Sequence, residues 1–252
     1  MTRRRFYAPP EGFSADGKSV RLGTEETRHL RNVLRLKAGD EIYLFDGLGR
    51  EFSGEVQTIA RDSTEVSLIK EVDAAQPESG LNLTLAVALL KGEKFDLVIQ
   101  KATELGVARV IPLITTRADV RIKGADDAAR KTTRWQRIAL EATKQCGRAR
   151  LMKIEEPAAF TNVINWEENT GLRLMFAERN GSSLTDLLID PPKHVAYVTA
   201  LSGPEGGWSD EEIDQAKAAG WKIITLGGRI LRAETAAIVV ATLIQHCFGD
   251  LN

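Results

Sequence analysis

Two glycine-rich stretches, SGPEGGW at 202–208 and LGGR at 226–229, each follow an apolar run and precede a helical pattern. Glycine leaves backbone N–H groups open to a ligand because it has no Cβ. In an open α/β sheet, ligands collect beyond the carboxyl ends of the strands. Arg229 and Arg232 stand near the start of the last helix, where cations oppose the helix dipole. We therefore predict a ligand site at these loops, with the arginines facing an anion or a developing negative charge.

Neither loop has the spacing of a phosphate-binding or nucleophile motif. Neither matches G-x-x-x-x-G-K-[ST], G-x-G-x-x-G or G-x-S-x-G. Ser209, with Glu212 three residues later, predicts a capping box for the helix after the first loop. Two such loops without a phosphate-binding lysine are typical of a site that holds a nucleoside-type ligand through backbone groups.

Composition narrows the class of protein. Hydrophobic residues make up 43% of the 252 residues and charged residues 27%, as in a globular protein. The two cysteines and three scattered histidines have neither disulfide-framework nor zinc-ligand spacing. No apolar run approaches the roughly 20 residues of a membrane span, and the basic N-terminus lacks the apolar segment of a signal peptide. We expect no metal, no membrane association and a cytoplasmic location.

Positive charge is concentrated in two blocks, although the net charge is only −1. Lysines and arginines outnumber acids by nine to four over residues 1–37 and by eleven to four over 117–153. Such blocks indicate a local surface for a polyanion. Ordinary solvated helix faces give the same pattern, so charge alone leaves both interpretations open.

The periodicity of apolar residues predicts two domains. Residues 1–72 carry short alternating stretches (EIYLFDG, EFSGEVQTIA, STEVSLIKEV) and one helical pattern at 24–36, which predict a small β-barrel-like domain. The polar stretch DAAQPESG at 73–80 predicts a linker. Over 81–252, apolar strand runs alternate with amphipathic helices, which predicts an α/β domain whose largely parallel sheet is covered on both sides.

SGPEGGWSDEEI and LGGRILRAETA resemble the paired cofactor loops of the SPOUT methyltransferases, and more narrowly the bacterial family that methylates N3 of a uridine in 16S ribosomal RNA. HLRNVLRLKAGDEIYLFDG, KGEKFDLVIQKATELGVARVIPL and EATKQCGRAR resemble the same family, so the likeness covers nearly the whole chain. One departure is Ala233, where the family often carries threonine. The resemblance implies a C-terminal parallel-sheet domain with a trefoil knot that binds S-adenosylmethionine. It also implies an N-terminal PUA-like barrel that grips RNA, and a homodimer with the active site near the subunit interface.

Carried over residue by residue, the resemblance implies a cofactor-binding set drawn from both loops and from the end of LRLMFA: Glu178, Ser202, Gly203, Glu205, Gly206, Gly207, Leu226, Gly227, Ile230, Leu231 and Ala233. Two alternatives stay open. Leu226, Ile230 and Leu231 are also typical of plain core, and Glu205 could serve only to brace its own loop.

Methylation at uridine N3 requires that its proton be removed. An arginine near O2 or O4 of the base would favour the anion electrostatically; we expect Arg232 in this role, and Arg229 after it. A carboxylate could accept the proton, and Glu234 and Glu205 are both candidates.

For the RNA we predict contacts from basic residues at the tail, at helix ends and at the second loop: Arg3, Arg4, Arg5, Lys91, Lys94, Arg148 and Arg229. A frayed tail at 3–5 and helix capping by Arg148 are the alternatives. Two other functions also stay open. One is a sister SPOUT enzyme that methylates another base or a ribose 2′-hydroxyl, and the other is a ribosome-assembly factor that binds RNA without turnover.

Overall fold

The computed structural model describes residues 3–166, 171–189 and 195–251. The chain forms two compact units, one of Met1–Glu78 with Thr143–Leu151 and one of Ser79–Ala142 with Met152–Asn252. The domain ranges 1–72 and 81–252, with a linker at 73–80, stay predictions.

The first unit is built on a five-stranded sheet with the order β1-β3-β4-β5-β2. Its strands are β1 (Arg5–Tyr7), β2 (Ser19–Leu22), β3 (Glu41–Phe45), β4 (Glu51–Ile59) and β5 (Thr64–Val72). β1 runs parallel to β3 and the other pairs are antiparallel. Register shifts in β4 bend the sheet over a core that includes Phe6, Leu30 and Val56.

The helical pattern at 24–36 folds differently from the prediction of one continuous helix. The α-helix α1 spans only Thr24–Arg28, and a π-helical turn continues it over His29–Val33. Leu30 and Leu36 are both buried, and Leu36 N–H donates to the Leu30 carbonyl at 3.1 Å. Because six residues separate these two core leucines, an α-helical pitch of 3.6 residues could not bury both on one face. The helical prediction is thus confirmed to Val33, with a change from α to π form after Arg28, and it was wrong for residues 34–36.

The second unit contains a seven-stranded parallel sheet with the order β12-β10-β11-β6-β7-β8, and β9 also pairs with β7. Its strands are β6 (Asn82–Ala88), β7 (Arg109–Ile114), β8 (Lys153–Ile154), β9 (Ala158–Ala159), β10 (Leu172–Phe176), β11 (Tyr197–Ser202) and β12 (Lys222–Ile224). The continuous apolar run of β6 is buried from Leu83 to its end, as strands of a doubly covered sheet are.

Among the described residues, six helices accompany this sheet: α2 (Lys94–Glu104), α3 (Ala125–Cys146), α4 (Phe160–Ile164), α5 (Leu184–Ile189), α6 (Asp210–Ala218) and α7 (Ala233–Phe248). Both faces of the sheet are covered. Leu85 and Val87 of β6 belong to one hydrophobic cluster, whereas Ala86 between them belongs to the other. Since successive side chains of a strand point to opposite faces, each cluster fills one side.

The register brings three strand ends to the same edge. Phe176 at the end of β10 pairs with Ser202 of β11 on one side and with Ile224 of β12 on the other. The two glycine-rich loops therefore begin at the two neighbours of β10, with the segment that starts at Ala177 between them.

Candidate functional site

The loops after β10, β11 and β12 surround one cavity of about 660 Å³. This volume is within the range of small-molecule and cofactor sites. Every residue of the predicted cofactor-binding set lines it: Glu178, Ser202, Gly203, Glu205, Gly206, Gly207, Leu226, Gly227, Ile230, Leu231 and Ala233. Their roles in binding stay a prediction, but the chain brings all of them together.

Glycines of the first loop are required by the packing of the protein itself. A Cβ on Gly207, whose φ is +66°, would lie 2.6 Å from a carboxylate oxygen of Glu178. A Cβ on Gly203 would lie 2.9 Å from the indole nitrogen of Trp208. That indole is buried and donates to the Phe176 carbonyl at 2.8 Å. The first loop is thus folded back tightly onto the end of β10.

The second loop has open space where the first has none. A Cβ on Gly227 would meet no atom within 4 Å, and the same is true of Gly228. Ile230 is 97% exposed and Leu231 37%, although both side chains are apolar. The core-packing alternative is therefore wrong for these two residues, whereas half-buried Leu226 does pack against the core. Exposed apolar side chains beside a cavity are suited to a flat, apolar ligand surface.

The hydroxyl of Ser202 is a buried polar group without a partner among the described residues. It lies at the end of β11, on the wall of the cavity. An unsatisfied buried hydroxyl costs free energy unless a ligand or water pairs with it. Its position fits a site completed by a bound polar molecule.

Lys94 lies between two carboxylates at the cavity. Its Nζ is 3.0 Å from Oε1 of Glu205 in the first loop and 3.9 Å from Oε2 of Glu234 in the first turn of α7. Burial raises the pKa of Glu205, but hydrogen bonds from its own backbone, from the Lys94 side chain and from the Lys91 backbone outweigh this and lower it. Glu205 is therefore ionised and tethered to the start of α2. Glu234 lies next to the cavity lining rather than in it.

Arg229 and Arg232 both line the cavity, and both are exposed. Neither forms an ion pair or a side-chain hydrogen bond with any part of the chain that the structure describes. Arg232 is the N-cap residue of α7, where a cation opposes the helix dipole. Both guanidinium groups lie at the cavity wall, and their facing of a negative charge stays a prediction.

Arg117 and Arg179 are contacts of the first loop that sequence reasoning missed. Arg117 Nη1 donates to the Trp208 carbonyl at 3.1 Å, and Arg179 Nη2 donates to the same oxygen at 3.0 Å. Arg179 also pairs with Glu178 and with Asp210. The predicted capping box of Ser209 and Glu212 is confirmed. No sequence signal indicated the arginines, because neither lies in a recognisable motif.

The predicted RNA-binding residues occupy very different environments. In the first unit, Arg5 is buried against Glu51 at 3.0 Å and donates to three backbone carbonyls. Arg3 shares the Glu51 carboxylate at 3.1 Å, and buried Arg148 pairs with Glu78 at 2.9 Å. Such placement favours structural roles for these arginines.

The remaining residues predicted to contact RNA are more accessible, but Lys91 and Lys94 form ion pairs with acidic side chains. Arg4 is exposed. Lys91 Nζ lies 2.7 Å from a carboxylate oxygen of Asp119, which raises the pKa of Lys91. Lys94 belongs to the cavity, as described above. RNA contact by these residues stays a prediction.

One stretch matches a phosphate-binding motif by its letters. GFSADGKS at 12–19 has the spacing G-x-x-x-x-G-K-[ST]. However, it follows a single 3₁₀ turn (Pro10–Gly12) and leads into the antiparallel strand β2, not into a helix. Because a P-loop requires a strand before it and a helix N-terminus after it, this match carries no phosphate site.

In residues 3–166, 171–189 and 195–251, no group of three or more His, Cys, Asp or Glu side chains is arranged to hold a metal ion. Within the same ranges, no helix combines the length and apolarity needed to cross a bilayer.

Residues 77–245 match the family described as the RNA methyltransferase domain. The chain belongs to this RNA methyltransferase family. Residues 22–69, which belong to the first unit, match the RNA methyltransferase PUA domain. These matches confirm the family predicted from the two loops and from the other motifs.

Relatives of this RNA methyltransferase cover nearly its full length. The ribosomal RNA small subunit methyltransferase E of Synechocystis is 34% identical over 97% of this chain and 78% of its own. A Legionella pneumophila protein solved in complex with the cofactor SAM has a TM-score of 0.88 and 33% identity, with full coverage of both chains. The ribosomal RNA small subunit methyltransferase E of Neisseria gonorrhoeae, bound to S-adenosyl methionine, has a TM-score of 0.87 and 32% identity, again over both full chains. The α/β fold class, a SPOUT methyltransferase domain after a small PUA-like domain, is confirmed.

Proposed function

We propose that this enzyme transfers a methyl group from S-adenosylmethionine to N3 of a uridine in 16S ribosomal RNA of the small subunit. The observation that carries the proposal is a cavity walled by two glycine-rich loops at adjacent strand ends, with two arginines at its rim that have no partner among the described residues. Relatives named for methylation of small-subunit rRNA, and two similar structures that contain the cofactor, support it.

The residues of the cavity fit this cofactor. When bound, S-adenosylmethionine supplies an electrophilic methyl group and leaves as S-adenosylhomocysteine. Backbone groups of both loops would hold its polar edges, and the unpartnered Ser202 hydroxyl offers a further hydrogen bond. The cofactor would occupy the open space beside Gly227, and the exposed side chains of Ile230 and Leu231 would be buried against its adenine ring. Burial of apolar surface contributes about 25 cal/mol per Å².

Activation of the uridine is assigned to arginine. A guanidinium beside O2 or O4 stabilises negative charge on the base, so that N3 loses its proton more easily. Arg232 is the first candidate and Arg229 the second, because both are exposed at the cavity without a carboxylate partner among the described residues.

Between the two candidate proton acceptors, Glu205 is the weaker one. Its lowered pKa and its bonds to Lys94 and Lys91 make it a poor base. Glu234 retains an oxygen without a hydrogen-bond donor among the described residues, but this oxygen faces Lys94. We assign the proton to Glu234 or to solvent, with Glu205 limited to bracing its loop.

The methylated product in the RNA and the behaviour of one active-site variant test this function. Nucleoside mass spectrometry of 16S rRNA from a deletion strain, and from the same strain complemented by this gene, should show 3-methyluridine only after complementation. A 2′-O-methyl or different base product would establish the sister-enzyme alternative. The Arg232→Ala enzyme should lose methylation while binding S-adenosylmethionine in calorimetry. Arg137→Ala, an exposed arginine on α3, is the control that should keep full turnover.

The proposal includes a homodimer in the cytoplasm. Apolar residues of α7 such as Ile238 and Val239 stay half-buried within one chain, which suits a helix that is covered further in a dimer. Light scattering after size exclusion, at concentrations used for turnover, measures the state directly. A strictly monomeric, fully active enzyme would remove this part of the proposal.

A further inference from the structure

A five-residue segment of the first unit protrudes between two core leucines. Leu30 and Leu36 are buried, whereas residues 31–35 between them are all exposed. The Leu36 N–H donates to the Leu30 carbonyl at 3.1 Å, which closes the segment at its base. The side chains at 31–35 therefore contribute little to the core that the two leucines anchor.

The backbone of this segment is unusual in two places. The turn His29–Val33 is a π-helix, a rare form that is frequent at functional sites. Arg35 then has a φ of +55°, a region that favours glycine and is uncommon for residues with a Cβ. Glycine would fit position 35 without this strain, and backbone strain of this kind clusters at functional sites.

Four arginines lie on this segment or beside it. Arg28, Arg31 and Arg35 are exposed, and none of them pairs with a carboxylate among the described residues. Arg31 donates to the Arg61 carbonyl at 3.5 Å, which brings Arg61, with a 93% exposed side chain, to the same place. Arg61 differs from the other three in having an acidic neighbour, Asp62 at 4.0 Å. We name Arg28, Arg31, Arg35 and Arg61 the arginine patch.

Two apolar side chains interrupt the patch. Val33 is 67% exposed and Leu34 39%. A solvated helix face would be expected to carry polar residues at these positions. Two apolar residues are too few for a protein–protein interface, which typically buries at least about 1,200 Å². Guanidinium groups on either side of two apolar side chains instead match a nucleic acid, whose phosphates bind arginine and whose bases and sugars offer apolar surface.

We infer that the arginine patch is a docking surface for the RNA, with guanidinium groups on phosphates and Val33 and Leu34 against bases or sugars. The inference rests on the proposed function in that the RNA is the substrate. It also assigns the RNA contact of this unit to the arginine patch instead of the N-terminal tail, because Arg3 and Arg5 form ion pairs with Glu51.

Salt dependence of RNA binding tests the patch. A fluorescein-labelled fragment of 16S rRNA is titrated with the full chain at several KCl concentrations, and anisotropy gives the affinity. In the double variant Arg28→Gln with Arg31→Gln, the slope of log affinity against log salt should fall by roughly 0.7 to 0.9 for each phosphate that is no longer neutralised. Lys18→Gln, at the opposite end of β2, is the exposed control and should leave the slope unchanged. Heat of binding to S-adenosylmethionine should be the same in all variants.

Arg35→Gly separates RNA binding from a structural role. Glycine accepts a φ of +55° readily, so the melting temperature should not fall, whereas RNA affinity should fall severalfold. In turnover the loss should be in KM for RNA, with kcat preserved at saturating RNA. A residue that only supports the fold would change the melting temperature and leave the salt slope intact.

The outcomes distinguish the two hypotheses. If folded variants of the patch bind RNA with wild-type affinity and slope while the wild type methylates it, the patch is wrong and the proposed function stands. If the wild type binds RNA through the patch but produces no methylated uridine, the proposed function is wrong and the docking surface stands.

Discussion

Lys94 links the first loop to the start of α7, so its removal should weaken cofactor binding with little effect on the fold. Its Nζ lies 3.0 Å from Glu205 and 3.9 Å from Glu234, at the N-terminus of α2. Glu205 lies in the cavity wall, and Glu234 lies next to the lining in the first turn of α7. Without the cation, the carboxylates keep like charges near each other, and the first loop loses its link to α7.

The exposure of these side chains sets the size of the effect. Lys94 is 37% exposed, Glu205 24% and Glu234 12%. Exposed ion pairs contribute about 0.2–1 kcal/mol, and hydrogen bonds to charged groups about 1.5–3 kcal/mol. A half-buried pair of this kind should contribute about 1–2 kcal/mol. If this free energy pre-organises the loops, cofactor affinity in Lys94→Met should fall about 5- to 30-fold.

Calorimetric titration with S-adenosylmethionine and with S-adenosylhomocysteine measures this loss. Lys101→Met is the matched control, because Lys101 lies on the same helix, is also 37% exposed and pairs with Glu104 at 2.8 Å away from the cavity. A helical i,i+3 pair is worth only about 0.2–0.5 kcal/mol, so its affinity should stay within about twofold. A folded Lys94→Met enzyme whose affinity equals that of the Lys101→Met control would refute the linking role.

Three further predictions concern glycine, a buried carboxylate and acid. Gly207→Ala should lower the melting temperature, since its Cβ meets an oxygen at 2.6 Å and its φ is +66°; Gly227→Ala should melt normally but bind cofactor more weakly, because its methyl enters open cavity. Glu51→Gln should cost about 3 kcal/mol in urea unfolding, because it leaves buried arginine charge unpaired, whereas exposed Glu55→Gln should change little. Glu205 has a lowered pKa when folded, so its stabilisation relative to Glu205→Gln should be present above the ordinary value of 4.5 and disappear as pH falls through the folded pKa; a difference that grows in acid would contradict this.

The sheet and its helices could be predicted because buried positions carry apolar residues, and the spacing of those residues is visible in the sequence. β6 is a continuous apolar run and lies in the middle of the parallel sheet, and β4 alternates in the first unit. The capping box at Ser209 followed from two residue types three positions apart. The trefoil knot left no such trace, since periodicity reports which faces are buried and not the order in which the chain threads. It entered only through the resemblance.

The sequence could not predict which charged residues form ion pairs when the partners are far apart in the chain. Arg5 and Glu51 are 46 residues apart, and nothing local indicates that Glu51 would be 1% exposed and accept from two arginines. The sequence therefore predicts an RNA contact for the tail. In the same way, it predicts an RNA contact for Lys94, although the carboxylate that pairs with Lys94 lies 111 residues further along the chain. Charge composition identifies where cations are in the chain, but only the fold decides which of them stay unpaired.

The two glycine-rich loops need glycine for different reasons, and this explains why the pair of loops is specific for a cofactor site. A side chain is excluded at Gly203 by the buried indole of Trp208 and is strained at Gly207 by a φ of +66°, so both glycines follow from how the first loop folds onto this protein. Gly227 faces empty space and nothing in this chain excludes a side chain there, whereas Gly228 also faces empty space but has a φ of +97°, which itself favours glycine. A loop of the first kind could occur in any tightly packed α/β protein. Paired with a loop of the second kind across the end of β10, it forms a rigid wall opposite an open one, which is the arrangement a cofactor cavity requires.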